Sequence, residues 1–190
     1  MRAGTIGSHT LNNSSSTNSG RAEINTLCGL IGGERRWFNL RPEDPGILTI
    51  NTEGSLIETL LGVFTFGFID LDPVACDDSG APDGKTSRVS FTAVPGSEYL
   101  IGVDGKGGQT GVIQLNWSLG APLTARRQGA TLRLSWPASF VGFGLEEASS
   151  LQGPVSWAPA GLPIPAAVNG TNSVWIPLSQ ARKFYRLRQP

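Results

Sequence analysis

Catalytic bases are scarce in this chain. His9 is its only histidine, and its lysines are Lys85, Lys106 and Lys183. His9 stands in a polar amino-terminal stretch and no G-x-S-x-G elbow occurs, so a Ser-His-Asp hydrolase lacks both its base and its nucleophile turn. The lysines lie in or beside turns or near the carboxy terminus, positions that weigh against Ser-Lys chemistry without removing it. A glycosidase needs two carboxylates facing each other across a cleft. Glu146 and Glu147 are neighbours whose side chains point to opposite faces of a strand, while Glu53 and Glu58 flank a turn. The inventory predicts a protein that is not an enzyme.

Acidic oxygens are the richest local resource. Asp70, Asp72, Asp77, Asp78 and Asp83 place five of the 15 acids within 14 residues. Calcium takes six to eight oxygens from carboxylates and carbonyls, and a loop broken by Gly and Pro can fold round to supply them. Asp77, Asp78 and Asp104 are the expected ligands of such a site. No D-x-[DN]-x-[DN]-G spacing occurs, so it would not be an EF-hand. The competing reading has these aspartates capping turns and keeping the loop soluble.

The tryptophans Trp37, Trp117, Trp136, Trp157 and Trp175 offer ring faces on which a glycan could stack. In a β-sandwich they more often fill the core, and Trp37 and Trp117 occupy strand positions where burial is expected. Two cysteines, Cys28 and Cys76, are too few for a disulfide framework or a closed zinc site. A bridge between them would close a loop of roughly 50 residues and stabilise by about 4 kcal/mol; the alternative is two small buried thiols.

These groups must be positioned by strands. Of 190 residues, 39% are apolar and 16% charged, with 25 Gly and 13 Pro, a composition that suits a turn-rich β protein with a real core. Fifteen basic and 15 acidic residues cancel, so the net charge supplies no footprint for nucleic acid or an anionic membrane. No apolar stretch approaches the roughly 20 residues of a membrane span. Residues 1–20 also lack the apolar centre of a signal peptide, so export is not visible in the sequence.

The chain reads as all-β, built of two antiparallel β-sandwich modules. Residues 1–20 are polar and small, a flexible tail by composition that becomes ordered only by docking on its own sandwich or on a neighbouring copy. Thr5, Ile6 and Leu11 are the assembly candidates there, although Ile6 and Leu11 fall on opposite faces of a regular strand. The first module spans 21–119, with strands near 36–40, 47–52 and 59–65. Three further alternating sets follow, Val89/Phe91/Ala93, Tyr99/Ile101/Val103 and Ile113/Leu115/Trp117, read as a meander turned by Pro95-Gly96 and the glycines of 105–111. A linker at 120–122 leads to a smaller module at 123–190, with an immunoglobulin-like or fibronectin-like strand pattern at 132–137, 142–151, 155–159, 174–178 and 184–188.

Trp37-Phe38, the hairpin Gly46–Ser55, Glu58-Thr59-Leu60 with Val63-Phe64, Asp77-Asp78, Ser87–Phe91 and Tyr99–Gly105 follow one another in the order of a known pattern. In these motifs residues 35–119 resemble the bacterial pre-peptidase C-terminal domain, with Glu58 where that family has Asp and Phe64 where it has Tyr. The later module resembles, more loosely, a short carboxy-terminal β module of large exported proteins from Verrucomicrobia-type bacteria. The first resemblance implies an extracellular accessory sandwich, some of whose relatives bind calcium at their loops. No peptidase stands beside it within this sequence. The reading that follows is a structural or adhesive protein at or beyond the cell surface, partnered by copies of itself through head-to-tail β contacts. The alternative is a monomeric secreted module that binds a matrix polymer, glycan or protein, with calcium as an optional stabiliser.

Overall fold

The computed structural model describes residues 2–3, 6–14, 26–27, 29–32, 35–68, 70–163, 167–178 and 182–188, and every regular element among them is a strand. The chain divides into two compact units, Met1–Gly120 and Ala121–Pro190.

Unit 1 contains β1 (Arg2–Ala3), β2 (Ile6–Asn12), β3 (Thr26–Leu27), β4 (Leu30–Ile31), β5 (Arg36–Pro42), β6 (Gly46–Asn51), β7 (Thr59–Phe66), β8 (Leu71–Asp78), β9 (Arg88–Ala93), β10 (Tyr99–Gly105) and β11 (Val112–Gly120). Two sheets result, ordered β1-β5-β10-β7-β8 and β2-β11-β6-β9, with β3 and β4 forming a small hairpin. Among the described residues, only β1 with β5 is a parallel pairing. Alternation along each strand turns Leu40, Leu61, Val63, Ile101 and Val103 of one sheet, and Leu48, Ile50, Ile113, Leu115 and Leu119 of the other, into a layer 3% exposed or less. Burial of each such side chain is worth about 1.5–3 kcal/mol before entropy is counted. At one end of that layer the fully buried hydroxyls of Thr52, Thr59 and Ser87 satisfy one another. Thr52 Oγ1 lies 2.5 Å from Thr59 Oγ1 and accepts from the Ser87 N–H at 2.9 Å.

The last three strands are not the meander the sequence suggests. β9 lies beside β6 and β11 beside both β6 and β2, whereas β10 stands between β5 and β7 in the opposite sheet. The Pro95-Gly96 turn carries the chain across from one sheet to the other. Gly96 takes φ 75°, and the Tyr99 hydroxyl accepts the Val94 N–H at 3.0 Å to hold the corner. The acidic stretch also differs from expectation, because Leu71–Asp78 is strand β8 and not loop. As an edge strand, β8 can point Asp72 into solvent while Ala75 and Asp77 pair with Val63 and Leu61.

Residues 6–12 dock in cis. β2 pairs with β11 over seven positions, from Val112 opposite Asn12 to Ser118 opposite Ile6. Gly7 makes this approach feasible, since a Cβ there would meet the Trp117 ring at 2.1 Å. At the far end, wholly buried Asn13 accepts the Gly111 N–H at 2.7 Å and donates to the Gln109 carbonyl at 3.2 Å.

Unit 2 contains β12 (Thr124–Gln128), β13 (Thr131–Pro137), β14 (Gly144–Ala148), β15 (Ala158–Pro159), β16 (Thr171–Pro177) and β17 (Phe184–Arg188). They form two three-stranded antiparallel sheets, β12-β13-β16 and β15-β14-β17. Leu134, Trp136, Leu145 and Val174 are the buried centre, flanked by Leu132, Ile176, Tyr185 and Leu187.

Candidate functional site

Three strands of the five-stranded sheet bring two of the expected carboxylates into one row. Asp104 on β10 opposes Leu60 on β7, which in turn opposes Asp78 on β8. Paired residues share a face, so Asp104 and Asp78 flank Leu60 on the side away from the sandwich core. Asp104 is 1% exposed, with Arg35 Nε 3.6 Å from its Oδ2 and the Gly105 N–H donated to its Oδ1. Residue 32 crosses directly above it, and a Cβ on Gly32 would stand 1.9 Å from Asp104 Oδ2. Burial pulls the Arg35 guanidinium below its ordinary pKa, against the raising effect of the Asp104 charge.

Asp78 serves a different partner. Its Oδ1 is 2.9 Å from Lys106 Nζ and accepts the Ser79 hydroxyl. The Lys106 hydrogen bond, aided by Ser79, holds the Asp78 carboxyl below its usual range, and the same bond raises Lys106. Asp77 points to the opposite side of β8, where Oδ2 accepts the N–H groups of Gly80 and Arg88, each at 2.8 Å. Asp83 caps the next turn, accepting from the Thr86 and Lys85 N–H groups, which hold its pKa down. The structure thus does not converge Asp77, Asp78 and Asp104 on one point. Among the described residues, no group of three or more His, Cys, Asp or Glu is placed to share a metal ion.

The same outer face bears an aromatic strip. Trp37 on β5 lies across buried Gly102 from buried Gly62. The ring meets Phe64 edge-on at 5.9 Å and carries the Arg35 guanidinium at 5.3 Å. Contrary to the core position expected for it, Trp37 is 38% exposed. The reason is its register: it shares a face with Asn39, whereas Phe38 and Leu40 take the inner side. Trp117 is half-buried over Gly7, Trp136 is in the core of unit 2, and Trp175 is half-exposed.

The remaining candidates are placed as follows. Ile6 is 67% exposed, and Leu11 opposes Ile113 on the core side of β11. Thr5 lies outside the described residues. Cys76 on β8 is disulfide-bonded, and Cys28, the only other cysteine, lies outside the described residues. His9 packs its ring edge-on against Phe38 at 5.4 Å. Glu146 and Glu147 both serve ion pairs, Glu146 with Arg186 at 2.7 Å and Glu147 with Lys183 at 2.7 Å.

Sequence reasoning missed three features. Strand β12, TARRQ, is exposed at every position and shows no apolar alternation to find. The Gly7–Trp117 fit and the Asn13 lock join residues about a hundred apart, a distance across which local patterns carry no signal. Compared with known proteins, the chain matches no family model and no curated protein.

Proposed function

We propose that this protein is a non-enzymatic, exported structural or adhesive module that assembles with copies of itself, the amino-terminal strand acting as the exchangeable piece. The observation that carries this reading is β2. It is an edge strand held by backbone pairing to β11, a Gly7–Trp117 fit and the Asn13 lock. In sequence, residues 15–25, SSTNSGRAEIN, are mostly polar and small and join that strand to the rest of unit 1. A β2 that leaves its own β11 and enters a neighbour's remakes the same hydrogen bonds, which makes exchange a low-cost route to assembly. The disulfide at Cys76 supports an oxidising, extracellular setting, as does the resemblance to pre-peptidase C-terminal domains.

The test is deletion of residues 1–14 with the matching synthetic peptide added back. At about 0.5 M NaCl, where contacts between exposed charges are screened, the intact chain is expected to form oligomers that grow with concentration, and the deleted chain to lose them and bind the peptide. An intact chain that stays monomeric at every concentration overturns the reading, as does a folded deleted chain that ignores the peptide.

A second reading, a secreted module that binds a glycan or matrix polymer, is favoured by the half-exposed Trp37 ring beside Phe64. Trp37→Ala would then abolish retention on the polymer and leave the assembly state unchanged.

A further inference from the structure

The zero net charge conceals a division. Unit 2 carries seven Lys and Arg against only two Glu, a formal +5, so the other eight basic and thirteen acidic residues leave unit 1 at −5. Both glutamates of unit 2 are already engaged, Glu146 by Arg186 and Arg188 and Glu147 by Lys183. Strands β12, β13 and β16 contain no Asp or Glu at all. Their register sets Arg126, Arg133 and Trp175 in one row across the sheet, on the face opposite buried Leu134 and Val174. Arg133 is held there, its guanidinium 5.5 Å from the Trp175 ring and donating to Ser173 Oγ at 2.9 and 3.2 Å. Trp175 is 50% exposed, and among the described residues neither Arg126 nor Arg133 has an ion pair.

Unit 1 presents the complementary surface at the tip of the β7–β8 hairpin. Phe66 is 60% exposed and Phe68 fully so, exposed Asp70 lies in the turn, and exposed Asp72 follows on β8. The Gly67 N–H donates to the Asp70 carbonyl at 2.8 Å, which fixes the turn. No Lys or Arg occurs between Arg41 and Lys85, whereas nine acids do, so nothing nearby in sequence neutralises the tip.

We infer that the hairpin tip of one copy docks on the Arg126–Arg133–Trp175 face of another. Asp70 and Asp72 meet the two guanidinium groups, and Phe68 meets the exposed indole. A second copy is favoured over a free polyanion because it matches the face in both chemistries and balances +5 with −5. The contact joins different surfaces of the two copies, so each bound copy still offers a tip or a face to a further one, in a ring or an open chain. It rests on the reading that copies of this protein are its partners, but it uses surfaces remote in sequence from β2.

Sedimentation equilibrium of the full chain tests it. Exposed charges are screened within about 10 Å at 0.1 M salt, so association is expected to weaken at least about tenfold between roughly 0.05 and 0.5 M NaCl. Arg126→Glu with Arg133→Glu should abolish the salt-sensitive part of the association, as should Asp70→Lys with Asp72→Lys, while exchange of residues 1–14 persists. Mixing the two variants should restore association, because each then offers the other a face or tip of opposite charge. Failure of the mixture to regain salt-sensitive association overturns the contact, and so does association of the intact chain with no salt-sensitive part. Binding of dextran sulfate by an otherwise monomeric wild-type chain would overturn it in favour of a polyanion site. Strand exchange fails with loss of residues 1–14 and not with these charge reversals, so the two ideas fall separately.

Discussion

Asn13 spends its side-chain amide on both sides of one turn, accepting from the Gly111 N–H and donating to the Gln109 carbonyl while wholly buried. Asn13→Ala leaves those two backbone groups without their partner, which costs about 1–3 kcal/mol. Urea unfolding is expected to show a lower midpoint at unchanged slope; an unaltered midpoint would mean that solvent replaces the bonds freely. At acid pH the informative residue is Asp78, whose folded pKa is depressed by the Lys106 hydrogen bond. Its contribution is therefore complete above the unfolded carboxylate pKa, near about 4, and is lost as pH falls through the lower folded value. Lys106, raised in the fold, gives up its share only as pH rises beyond its ordinary range. Melting temperatures of wild type and Lys106→Gln should thus converge as pH drops from about 5 to 2, and a constant gap would refute the pairing. Asp104 illustrates what one residue discloses. Its acidity suggested a metal ligand, but its meeting with Arg35 depends on a crossing of the chain at Gly32 that no spacing announces.

At the scale of elements, alternation was readable and partnership was not. Tyr99, Ile101 and Val103 are buried, as their spacing requires, but spacing assigns faces and says nothing of which sheet a strand joins. That is why β10 lies opposite, and not between, β9 and β11. β8 escaped notice because it has the composition of an edge: Asp72, Pro73 and two more aspartates, broken by a bulge at Val74 where Ala75 opposes Val63 and Pro73 opposes Phe64. Such residues discourage pairing with another sheet. Pro73→Thr restores a donor N–H to that edge and is expected to raise the rate of aggregation on heating several-fold, measured by light scattering. An unchanged rate would show that the bulge alone guards the edge.

The whole molecule is two cores with opposite charge. Because each unit packs around its own apolar residues, calorimetry should resolve two transitions. Reductant is expected to lower only that of unit 1, where both cysteines reside, by about 4 kcal/mol if the loop from Cys28 to Cys76 is the one closed. A shift of both transitions would argue against independent units. The charge division escapes whole-chain composition because the opposing excesses cancel, and it emerges once a boundary is drawn at Gly120.

The register of β2 has a mechanical meaning. Ile6, at the start of the strand, lies opposite Ser118, two residues before unit 1 ends at Gly120. Tension applied between Ile6 and Gly120 therefore enters the β2–β11 pair at a single corner. The bonds are loaded one after another, like a zipper, and not all together in shear. An optical trap is expected to record gradual peeling at low force, and a single abrupt high-force rupture would contradict it. A chain under load would release its first strand before its core, baring β11 for a neighbour just when the material is being pulled apart.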